Sequence, residues 1–430
     1  MEEKFPLVIG FGATGSSLID FLSNSYEKIF LIEDWKDNPN LKRIIQEIPK
    51  VVINPKLDHD LFSQVSKIYP SPGVPRDHVI FGYARKNKLQ VSSDIQEFLV
   101  NHKSTKILVT GTNGKTSTCL LIKHLFEYFY PNLKIAALGN IGEPVLDYLE
   151  KEVDVSIIEV SSFQLELLNQ IEFEIGLLLN IEQDHLDRHG TFEDYKAMKE
   201  KVLKHSALNI SFNNKNSFGK DYKNYHNHEL PKSFLESSTL SNWPLHDKQN
   251  LRASIEVLNT YSKHYKGIEN NTNLYEDILK SLKSFKKLPH RFEFVKQCEG
   301  VSFINDSKAT NIDAMIKAVC SANQYSQDGN IYLICGGDLK GQDILSADLS
   351  ELSNVKNILI YGKDKATIFN SMNKYSECLS VQDLESAFKI SVSMAKEGDH
   401  VLLAPACSSL DMFSDYRERG DRFKQLVNDL

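Results

Sequence analysis

The sequence predicts an α/β fold divided into three domains, at residues 1–93, 94–289 and 290–430. Short apolar runs recur along the chain, and each run ends in a glycine-rich or polar turn that leads to a helical pattern. The 430 residues are also too many for one ordinary hydrophobic core, so two or three domains are the natural expectation.

The composition is that of a soluble globular protein. Hydrophobic residues make up 41% and charged residues 25%, and the net charge of -7 argues against a nucleic-acid partner. No apolar stretch is long enough to span a bilayer, and the chain starts directly with a strand, so we expect neither a membrane partner nor a signal peptide. The six scattered cysteines read as buried thiols in a reducing compartment. These features together predict a cytoplasmic protein.

The first domain opens with a strand, a glycine-rich turn and a helix. An apolar run at 5–9 leads into GFGATG (10–15), and a second run at 29–32 ends in Glu33. This layout is Rossmann-like and is typical of sites for the phosphates and ribose of a nucleotide. The motif alone is weak, because a plain tight turn between strand and helix has the same appearance. A further loop at 71–73 follows another apolar run, and we expect it to face the same ligand.

The central domain begins with KILVTGTNGKTST (106–118), an apolar strand, a glycine-rich turn and a helix start. Glycines let backbone N–H groups face an anion, a lysine neutralises phosphate oxygens, and a threonine hydroxyl can hold Mg²⁺. The full Walker pattern would place a glycine where Val109 stands, but a plain turn leaves Lys-Thr-Ser-Thr unexplained. We therefore predict a P-loop of an ATPase-type domain, with ATP bound by Gly111, Thr112, Asn113, Gly114, Lys115, Thr116 and Ser117.

Two further strands of this domain end in polar residues. The run at 153–158 closes on Glu159, and an acid at the end of a buried strand in a P-loop domain commonly reaches Mg²⁺ or its water. The alternative is an acid that only marks the end of the strand. The run at 175–180 enters EQDHLDRH (182–189), whose density of ligand-type residues predicts a site rather than a solvated loop.

A helix is predicted to start at Thr191, which begins a capping pattern. On this helix Phe192, Tyr195, Lys199 and Val202 share one face, so a lysine lies within an apolar stripe. Two interpretations remain open: the lysine extends its head to water, or it is held at a site beside His185.

Residues 206–241 read as irregular connections, and the pair His226 and His228 as surface residues rather than a metal site. Helical patterns follow from His246 to near Phe285. The third domain then repeats strand, polar loop and helix, with strands at 301–304, 331–334, 358–361 and 401–403. Because an open α/β sheet binds ligands at such loops, we expect a second Rossmann-like domain that contributes to a shared cleft.

These motifs make the chain similar to the Mur ligase family along nearly its whole length. The motifs that carry the resemblance are TGTNGKT (110–116), GNIGEP (139–144), EVSSFQLE (159–166), DHLDRH (184–189), LPHRFE (288–293), NDSKATN (305–311), GGDLKG (336–341) and APACSSLDMFSDYRERGDRF (404–423). The last stretch resembles the member that adds D-glutamate to UDP-N-acetylmuramoyl-L-alanine. The resemblance therefore implies these two substrates, ATP, two Mg²⁺ sites and a monomer.

The resemblance also implies roles for single residues. It implies further ATP contacts at Asn250, Arg291, Asp306 and Lys308. It implies metal ligands at Thr116, Glu159, His185 and Lys199, with Lys199 carbamylated. The catalytic group would be Lys115, Lys199, His185 and Asn140. The UDP-substrate would contact Gly12, Ala13, Thr14, Glu33, Gly73, Asn140, Ser161 and His185. D-glutamate would contact Thr310, Lys340, Ser409 and Tyr416.

The chain departs from the family pattern at three places. Tyr416 stands where phenylalanine is frequent, and Glu33-Asp34-Trp35 replaces a familiar small residue and base, which leaves the uridine contacts there open. The HDKQN loop (246–250) also differs from the usual pattern but keeps Asn250.

Three other functions compete with a D-glutamate-adding ligase, and the motifs argue against each of them. A folate ligase would begin with the ATPase domain, without the GFGATG unit. A regulatory or transport ATPase leaves NDSKAT and GGDLKG without a role. A dehydrogenase reading of GFGATG leaves the second nucleotide loop unexplained.

Overall fold

The computed structural model describes most of the chain. The described residues are 3–34, 38, 41, 47–169, 171–212, 230–241, 243–268, 273–325 and 329–430. The predicted surface histidines His226 and His228, and Trp35 at the predicted uridine site, lie outside this part of the chain.

The first domain is a sheet of five parallel strands in the order β3-β2-β1-β4-β5. Its strands are β1 (Phe5–Ile9), β2 (Ile29–Ile32), β3 (Val51–Ile53), β4 (Val65–Pro70) and β5 (Gln90–Val91). Its helices are α1 (Ala13–Ser23), α2 (His59–Ser63), α3 (Val79–Asn87) and α4 (Asp94–Asn101). The runs predicted at 5–9 and 29–32 coincide with β1 and β2, which are buried at every position.

The central domain is a second five-stranded parallel sheet, ordered β10-β9-β6-β8-β7. Its strands are β6 (Thr105–Thr110), β7 (Ile135–Gly139), β8 (Val155–Glu159), β9 (Phe173–Leu178) and β10 (Ser206–Ser211). Its helices are α5 (Lys115–Phe129), α6 (Ser162–Glu166), α7 (Leu186–His189), α8 (Phe192–Lys204), α9 (Lys232–Leu235), α10 (Leu245–Lys266) and α11 (Leu274–Leu282), with a short 3₁₀ helix at Val145–Tyr148.

The third domain is a six-stranded sheet ordered β11-β12-β16-β13-β14-β15, in which only the β11–β12 pair is antiparallel. Its strands are β11 (Glu293–Cys298), β12 (Val301–Asn305), β13 (Ile331–Gly336), β14 (Asn357–Tyr361), β15 (Glu377–Ser380) and β16 (His400–Leu403). Its helices are α12 (Ile312–Tyr325), α13 (Lys365–Met372), α14 (Leu384–Met394) and α15 (Tyr416–Asn428), with a 3₁₀ helix at Ser350–Asn354.

The structure confirms the α/β class, with two parallel sheets and a third that is parallel except for the β11–β12 pair. The expectation of irregular chain over 206–241 was wrong in part, because β10 and the short helix α9 lie there. Strand β10 escapes a search for apolar runs because it is an edge strand, with only its last two residues buried.

One apolar cluster joins the first two domains. Val8 and Leu18 of the first domain belong to the same buried cluster as Leu108 and Ile158 of the central sheet. The turns that follow β6, β8 and β9 meet at one edge of the central sheet, since all of its strands run parallel. The polar loops after β12, β13 and β16 share one edge of the third sheet for the same reason.

Candidate active site

The loop at residues 111–117 connects β6 to α5 and is shaped by one glycine. Gly114 has φ +84° and starts α5, and a Cβ at this position would lie 2.3 Å from Oδ1 of Asn250. Only glycine adopts this backbone without strain and leaves room for Asn250. The helix N-terminus therefore stays open towards an anion.

Lys115 folds back onto its own loop. Its Nζ donates hydrogen bonds to the carbonyl oxygens of Gly111 and Thr112, both at 2.8 Å. Burial lowers the pKa of Lys115, and the charges of Glu159 and Asp184 oppose that shift. A phosphate in the loop would offer this cation stronger acceptors than two neutral carbonyls.

A cavity of about 410 Å³ lies beside this loop, between the central and third domains. Seven of the residues predicted to bind ATP line it, namely Asn113, Gly114, Ser117, Asn250, Arg291, Asp306 and Lys308. The first four come from the central domain and the last three follow it in the chain. The other four predicted residues, Gly111, Thr112, Lys115 and Thr116, belong to the same loop but do not line the cavity. His246, Asp247 and Lys317 also line it and were not predicted.

Two charged groups of this cavity have strongly shifted pKa values. Burial raises the pKa of Asp306 to about 7, against the opposing effects of the Phe292 N–H and the Arg291 charge. Burial lowers the pKa of Lys308 to about 7, and the nearby cations Arg291 and Lys115 lower it further. Such perturbed groups in a cleft are typical of a functional site.

Glu159 ends β8 next to the loop and is buried. Its Oε1 accepts a hydrogen bond from Asn140 Nδ2 at 2.9 Å. Its Oε2 is buried without a hydrogen-bond partner. A carboxylate oxygen left without a partner suits a hard cation such as Mg²⁺. The described residues contain no cluster of three or more His, Cys, Asp or Glu side chains that could hold a metal by themselves, so any metal here would need other ligands.

Lys199 is buried and does not extend its head to water. It is 2% exposed, and its Nζ donates a 2.7 Å hydrogen bond to the Gly111 carbonyl. The ammonium also lies 4.7 Å from the ring centroid of Tyr195. Burial lowers the pKa of Lys199 well below its ordinary value, with the charge of Lys115 adding to the effect. The geometry is against a lysine that extends its head to water, and it places Lys199 beside the 111–117 loop, whereas its placement beside His185 stays a prediction.

His185 lies just before α7 with φ +53°, and its ring packs edge-on against Phe163 at 4.9 Å. Burial lowers the pKa of His185 to about 4 despite the neighbouring Asp184, so the ring is neutral. Burial by itself would raise the pKa of Asp184, but the charge and the hydrogen bond of Lys340, together with the charge of Lys115, outweigh it and lower that pKa.

The third domain reaches the central domain through Lys340. Its Nζ lies 3.2 Å from Oδ1 of Asp184, and Asn311 Nδ2 donates to the other oxygen at 3.4 Å. The Lys340 and Ser409 loops are joined, because the backbones of Asp338 and Ser408 exchange two hydrogen bonds. Asp184 therefore forms an ion pair between the two domains, a role that its place in the DHLDRH motif does not predict.

The other residues predicted for D-glutamate lie on adjoining loops. The Lys308 ammonium lies 4.4 Å from the ring centroid of Tyr416, and the Thr310 N–H donates to the Lys308 carbonyl. Ser409 is buried in the loop after β16. The structure thus brings Thr310 and Tyr416 together around Lys308, while Lys340 lies at Asp184.

Sequence reasoning missed Arg419, which holds these loops together. It is fully buried, and its guanidinium donates to the Ser307 side chain and carbonyl and to the Cys407 carbonyl. The signal in the sequence was the Arg-Gly pair of the last motif. A Cβ on Gly420 would lie 2.2 Å from His290 Nδ1, so this helix packs too closely for any larger residue.

Glu33 holds the glycine-rich turn of the first domain in place through hydrogen bonds. One carboxylate oxygen accepts from the Phe11 N–H at 2.7 Å and from Asn38 Nδ2 at 3.1 Å. Gly15 approaches the backbone closely, since a Cβ there would lie 2.0 Å from the Gly10 carbonyl oxygen. A Cβ added at Gly12 or at Gly73 would have no other atom within 4 Å, so both glycines border open space. Ala13 and Thr14 form the first turn of α1.

The first and central domains are also joined by charge. Arg188 donates to the Val74 carbonyl at 2.8 Å and pairs with Glu166 at 3.3 Å, and Arg76 pairs with the same carboxylate. The Arg188 guanidinium lies over the Phe163 ring that packs against His185. Ser161, predicted to face the substrate, caps α6 in a reciprocal pair with Gln164.

The remaining sequence expectations concern membranes and thiols. None of the helices in the described ranges has the length and apolar character needed to cross a bilayer. All six cysteines are free, but the expectation of buried thiols was wrong for Cys298 and Cys320, which are only partly buried.

Comparison with known proteins gives matches over almost the whole chain. It matches the MurD-like N-terminal domain of Mur ligases over residues 4–93, the Mur ligase middle domain over 109–287, and the Mur ligase glutamate ligase domain over 290–407. It is 34% identical to the UDP-N-acetylmuramoylalanine--D-glutamate ligase of Legionella pneumophila (strain Paris), with 100% of both chains covered. It is 33% identical to the ligase of the same name from Francisella philomiragia, with 99% and 96% covered.

Solved structures show the same fold at low identity. A crystal structure of MurF from Acinetobacter baumannii matches with a TM-score of 0.57 and 14% identity, covering 99% of this chain and 93% of that one. MurF ligase from Thermotoga maritima in complex with ADP matches with a TM-score of 0.56 and 15% identity, covering 100% and 96%. On the relatives and the three domain matches, the chain belongs to the Mur ligase family.

Proposed function

We propose that this chain is an ATP-dependent ligase that joins D-glutamate to UDP-N-acetylmuramoyl-L-alanine through an acyl phosphate, a step of peptidoglycan precursor synthesis. The observation that carries the proposal is the cavity beside the 111–117 loop, where Arg291, Asp306 and Lys308 from beyond the central sheet meet that loop. The relatives at 34% and 33% identity carry the name of this reaction. The proposed domains are a Rossmann-like 1–93, a P-loop domain 94–289 and a Rossmann-like 290–430.

ATP would bind in this cavity with its phosphates at the 111–117 loop. The substrate carboxylate is a poor electrophile, because its charge repels an amine and oxide is a poor leaving group. Attack of a carboxylate oxygen on the γ-phosphorus forms an acyl phosphate and releases ADP. We expect Lys115 to exchange its two carbonyl partners for phosphate oxygens and to neutralise the charge that gathers there.

Glu159, Thr116, His185 and Lys199 would hold two Mg²⁺ ions. The orphaned Oε2 of Glu159 and the neutral ring of His185 fit this role. Mg²⁺ would supply Lewis-acid stabilisation of the phosphate charge. Lys199 fits as a carbamate, because burial favours its neutral amine, the form that adds CO₂, and a carbamate provides the oxygen ligand that an ammonium lacks. Asn140 would hold Glu159 and face the reacting carboxyl.

D-glutamate would bind where the third domain meets Asp184. Lys340, Thr310, Ser409 and Tyr416 would hold its carboxylates, and Lys340 would then exchange its contact with Asp184 for a substrate carboxylate. The amine of D-glutamate attacks the acyl carbon and loses its proton, and phosphate leaves with one oxygen of the original carboxylate. A closed third domain excludes the water that would otherwise hydrolyse the acyl phosphate.

The UDP part of the other substrate would lie on the first domain. Gly12 and Gly73 border open space, and Gly12, Ala13 and Thr14 lie at the N-terminus of α1, a suitable place for a diphosphate. Glu33 would act by holding this turn in shape, since its carboxylate accepts from Phe11 N–H and Asn38. We further propose a monomer that works in the cytoplasm, where UDP-linked precursors and ATP are available.

The test is phosphate release from Mg-ATP with UDP-N-acetylmuramoyl-L-alanine and one amino acid at a time. We expect release with D-glutamate and little with L-glutamate, L-lysine or glycine. Release with another amino acid would retain a ligase but overturn the substrate. Release that needs no amino acid would support a plain ATPase and overturn the proposal.

A further inference from the structure

The side chain of Asn113 connects the 111–117 loop to the third domain. Its Nδ2 donates to Asp313 Oδ2 at 2.8 Å and to Asn311 Oδ1 at 3.3 Å. Its Oδ1 accepts from Asn311 Nδ2 at 3.0 Å. The oxygen and the nitrogen of this amide therefore both form hydrogen bonds with residues about 200 positions away in the chain. All three of these hydrogen bonds are made to the third domain.

The backbone of Asn113 is fixed from the other side. Its N–H donates to Asn180 Oδ1 at 2.9 Å, and its carbonyl accepts from Asn180 Nδ2 at 3.1 Å. Asn180 follows β9 at the edge of the central sheet. The residue in the middle of the loop is thus held by the central domain through its backbone and by the third domain through its side chain.

The two partners in the third domain lie at the N-terminus of α12. Asn311 is buried, and its Oδ1 also accepts from the Ala314 N–H, so it caps the helix. Asp313 lies in the first turn and pairs with Lys317 at 2.7 Å, and Lys317 lines the 410 Å³ cavity. A rigid helix end thus presents both acceptors to the loop.

We propose that Asn113, Asn311 and Asp313 form a latch that holds the 111–117 loop in register with the third domain, and that Asp313 is a positioning residue for nucleotide binding. This proposal rests on the proposed function. The cavity takes its lining from both domains, so it is complete only when they are together. Asp313 keeps the loop and the third domain in the arrangement that nucleotide requires, without touching the nucleotide itself.

The latch predicts a specific kinetic signature. A hydrogen bond to a charged acceptor contributes roughly a tenfold factor in an equilibrium constant. Loss of Asp313 should therefore raise the KM for ATP about tenfold, while the KM for the UDP-substrate, which binds at the first domain, changes less than about twofold. A residue that only supports folding would lower thermal stability and affect both constants alike.

The experiment is a double-mutant cycle with Asp313→Ala, Asn113→Ala and the pair, assayed by phosphate release with D-glutamate. If Asp313 acts through Asn113, its removal should raise the KM for ATP in the native background and have almost no effect in the Asn113→Ala background. Asp313→Asn keeps an acceptor oxygen and should restore most of the affinity. Asp277→Ala is the matched control, because Asp277 is also a first-turn aspartate with an ion pair to a lysine on its own helix.

The partners that Asp313 would leave, Asn113 and Lys317, are only partly buried, so its removal leaves no fully buried group unpaired. Asp313→Ser provides a second variant with the same expected result. Additive effects of the two single variants, or equal changes in both KM values, would overturn the latch. An unchanged KM for ATP would overturn it as well. The proposed function is judged separately, since it fails only if the unaltered chain releases no phosphate in response to D-glutamate.

Discussion

The central domain meets its two neighbours at junctions that satisfy their charges differently. At the junction with the first domain, Arg76 and Arg188 share the Glu166 carboxylate. At the junction with the third domain, one oxygen of Glu159 has no partner, and burial moves the pKa values of Asp306 and Lys308 to about 7. The paired charges of the first junction hold two domains together, whereas we infer that the orphaned carboxylate oxygen and the groups with shifted pKa values at the other junction serve a ligand.

One ion pair lies at the junction with the third domain. It joins Lys340 and Asp184, although both lie at the proposed D-glutamate site. The pair keeps both side chains at the site before the amino acid arrives. We infer that the ligand replaces one partner of this pair rather than filling a site of unpaired charges.

The largest expected effect comes from Lys115. Lys115→Met should lower kcat by a factor of roughly 10² to 10³, because the phosphate charge loses its nearest cation. Thermal stability should change little, since Lys115 only bonds two carbonyls of its own loop. Arg76→Met is the control at the other junction, where we expect nearly native turnover. A large fall in the melting temperature of Lys115→Met would contradict this prediction, because the loss of turnover would then follow from unfolding rather than from a missing cation.

Two glycine substitutions distinguish a glycine that is required by close packing from one that borders space for a ligand. Gly114→Ala should weaken ATP binding about tenfold or more, because φ is +84° and the new Cβ would meet Asn250 Oδ1 at 2.3 Å. Gly12→Ala should leave the melting temperature unchanged, since φ is −85° and the space is open, but should raise the KM for the UDP-substrate. Titration calorimetry with ADP measures the effect of Gly114→Ala, and thermal unfolding together with steady-state kinetics in the UDP-substrate measures that of Gly12→Ala. An unchanged KM for the UDP-substrate in Gly12→Ala would show that this substrate does not use the open space.

At the first junction we expect the effect on stability to exceed the effect on catalysis. Glu166→Gln removes the shared acceptor of two arginines and should lower the free energy of unfolding by about 1 to 3 kcal/mol, reduced from the fully buried case because these side chains are partly exposed. Turnover with saturating substrates should fall less than about threefold. Glu152→Gln, at an exposed pair with Lys134, should be silent in the same urea titration. An equal loss of stability in Glu166→Gln and Glu152→Gln would mean that the junction pair stabilises the fold no more than an exposed ion pair does.

The smallest expected effect is a change in how stability depends on pH. Because the folded-state pKa of Asp306 is raised to about 7, the folded protein binds more protons than the unfolded chain between about pH 4 and 7. Its contribution to stability is therefore present below pH 4 and is lost as the pH rises through 7. Asp306→Asn should flatten the decline of melting temperature between pH 5 and 7.5. An unchanged slope would mean that this carboxyl is not buried as described.

The sequence predicts those parts of the fold whose burial shows as a continuous apolar run within one short segment. Strands β1 and β2 are continuous apolar runs because both faces of a parallel sheet are covered. Strand β11 was not predicted, because it is an antiparallel edge strand whose Phe294 is 62% exposed, so its pattern carries no continuous run.

In the candidate site as well, residues with a local sequence pattern are predictable and residues that meet only through domain packing are not. The 111–117 loop is recognisable because glycine, lysine and threonine stand in one short segment, whose chemistry is local. The contact of Asn113 with Asp313 joins residues 200 positions apart, and neither residue type is unusual in its place. Arg188 likewise looks like any charged residue of a helix until the fold places it on Val74 and Glu166. Such contacts depend on how domains pack, which no short segment encodes.

The measurement that tests the central claim most directly uses UDP-N-acetylmuramoyl-L-alanine labelled with ¹⁸O in its carboxylate. Turnover with Mg-ATP and D-glutamate should release phosphate that carries one ¹⁸O atom, because the oxygen that attacks the γ-phosphorus leaves with it when the amide forms. Mass spectrometry of the released phosphate reads this transfer. Unlabelled phosphate would mean that water, not the substrate carboxylate, takes the phosphoryl group, and would contradict ligation through an acyl phosphate.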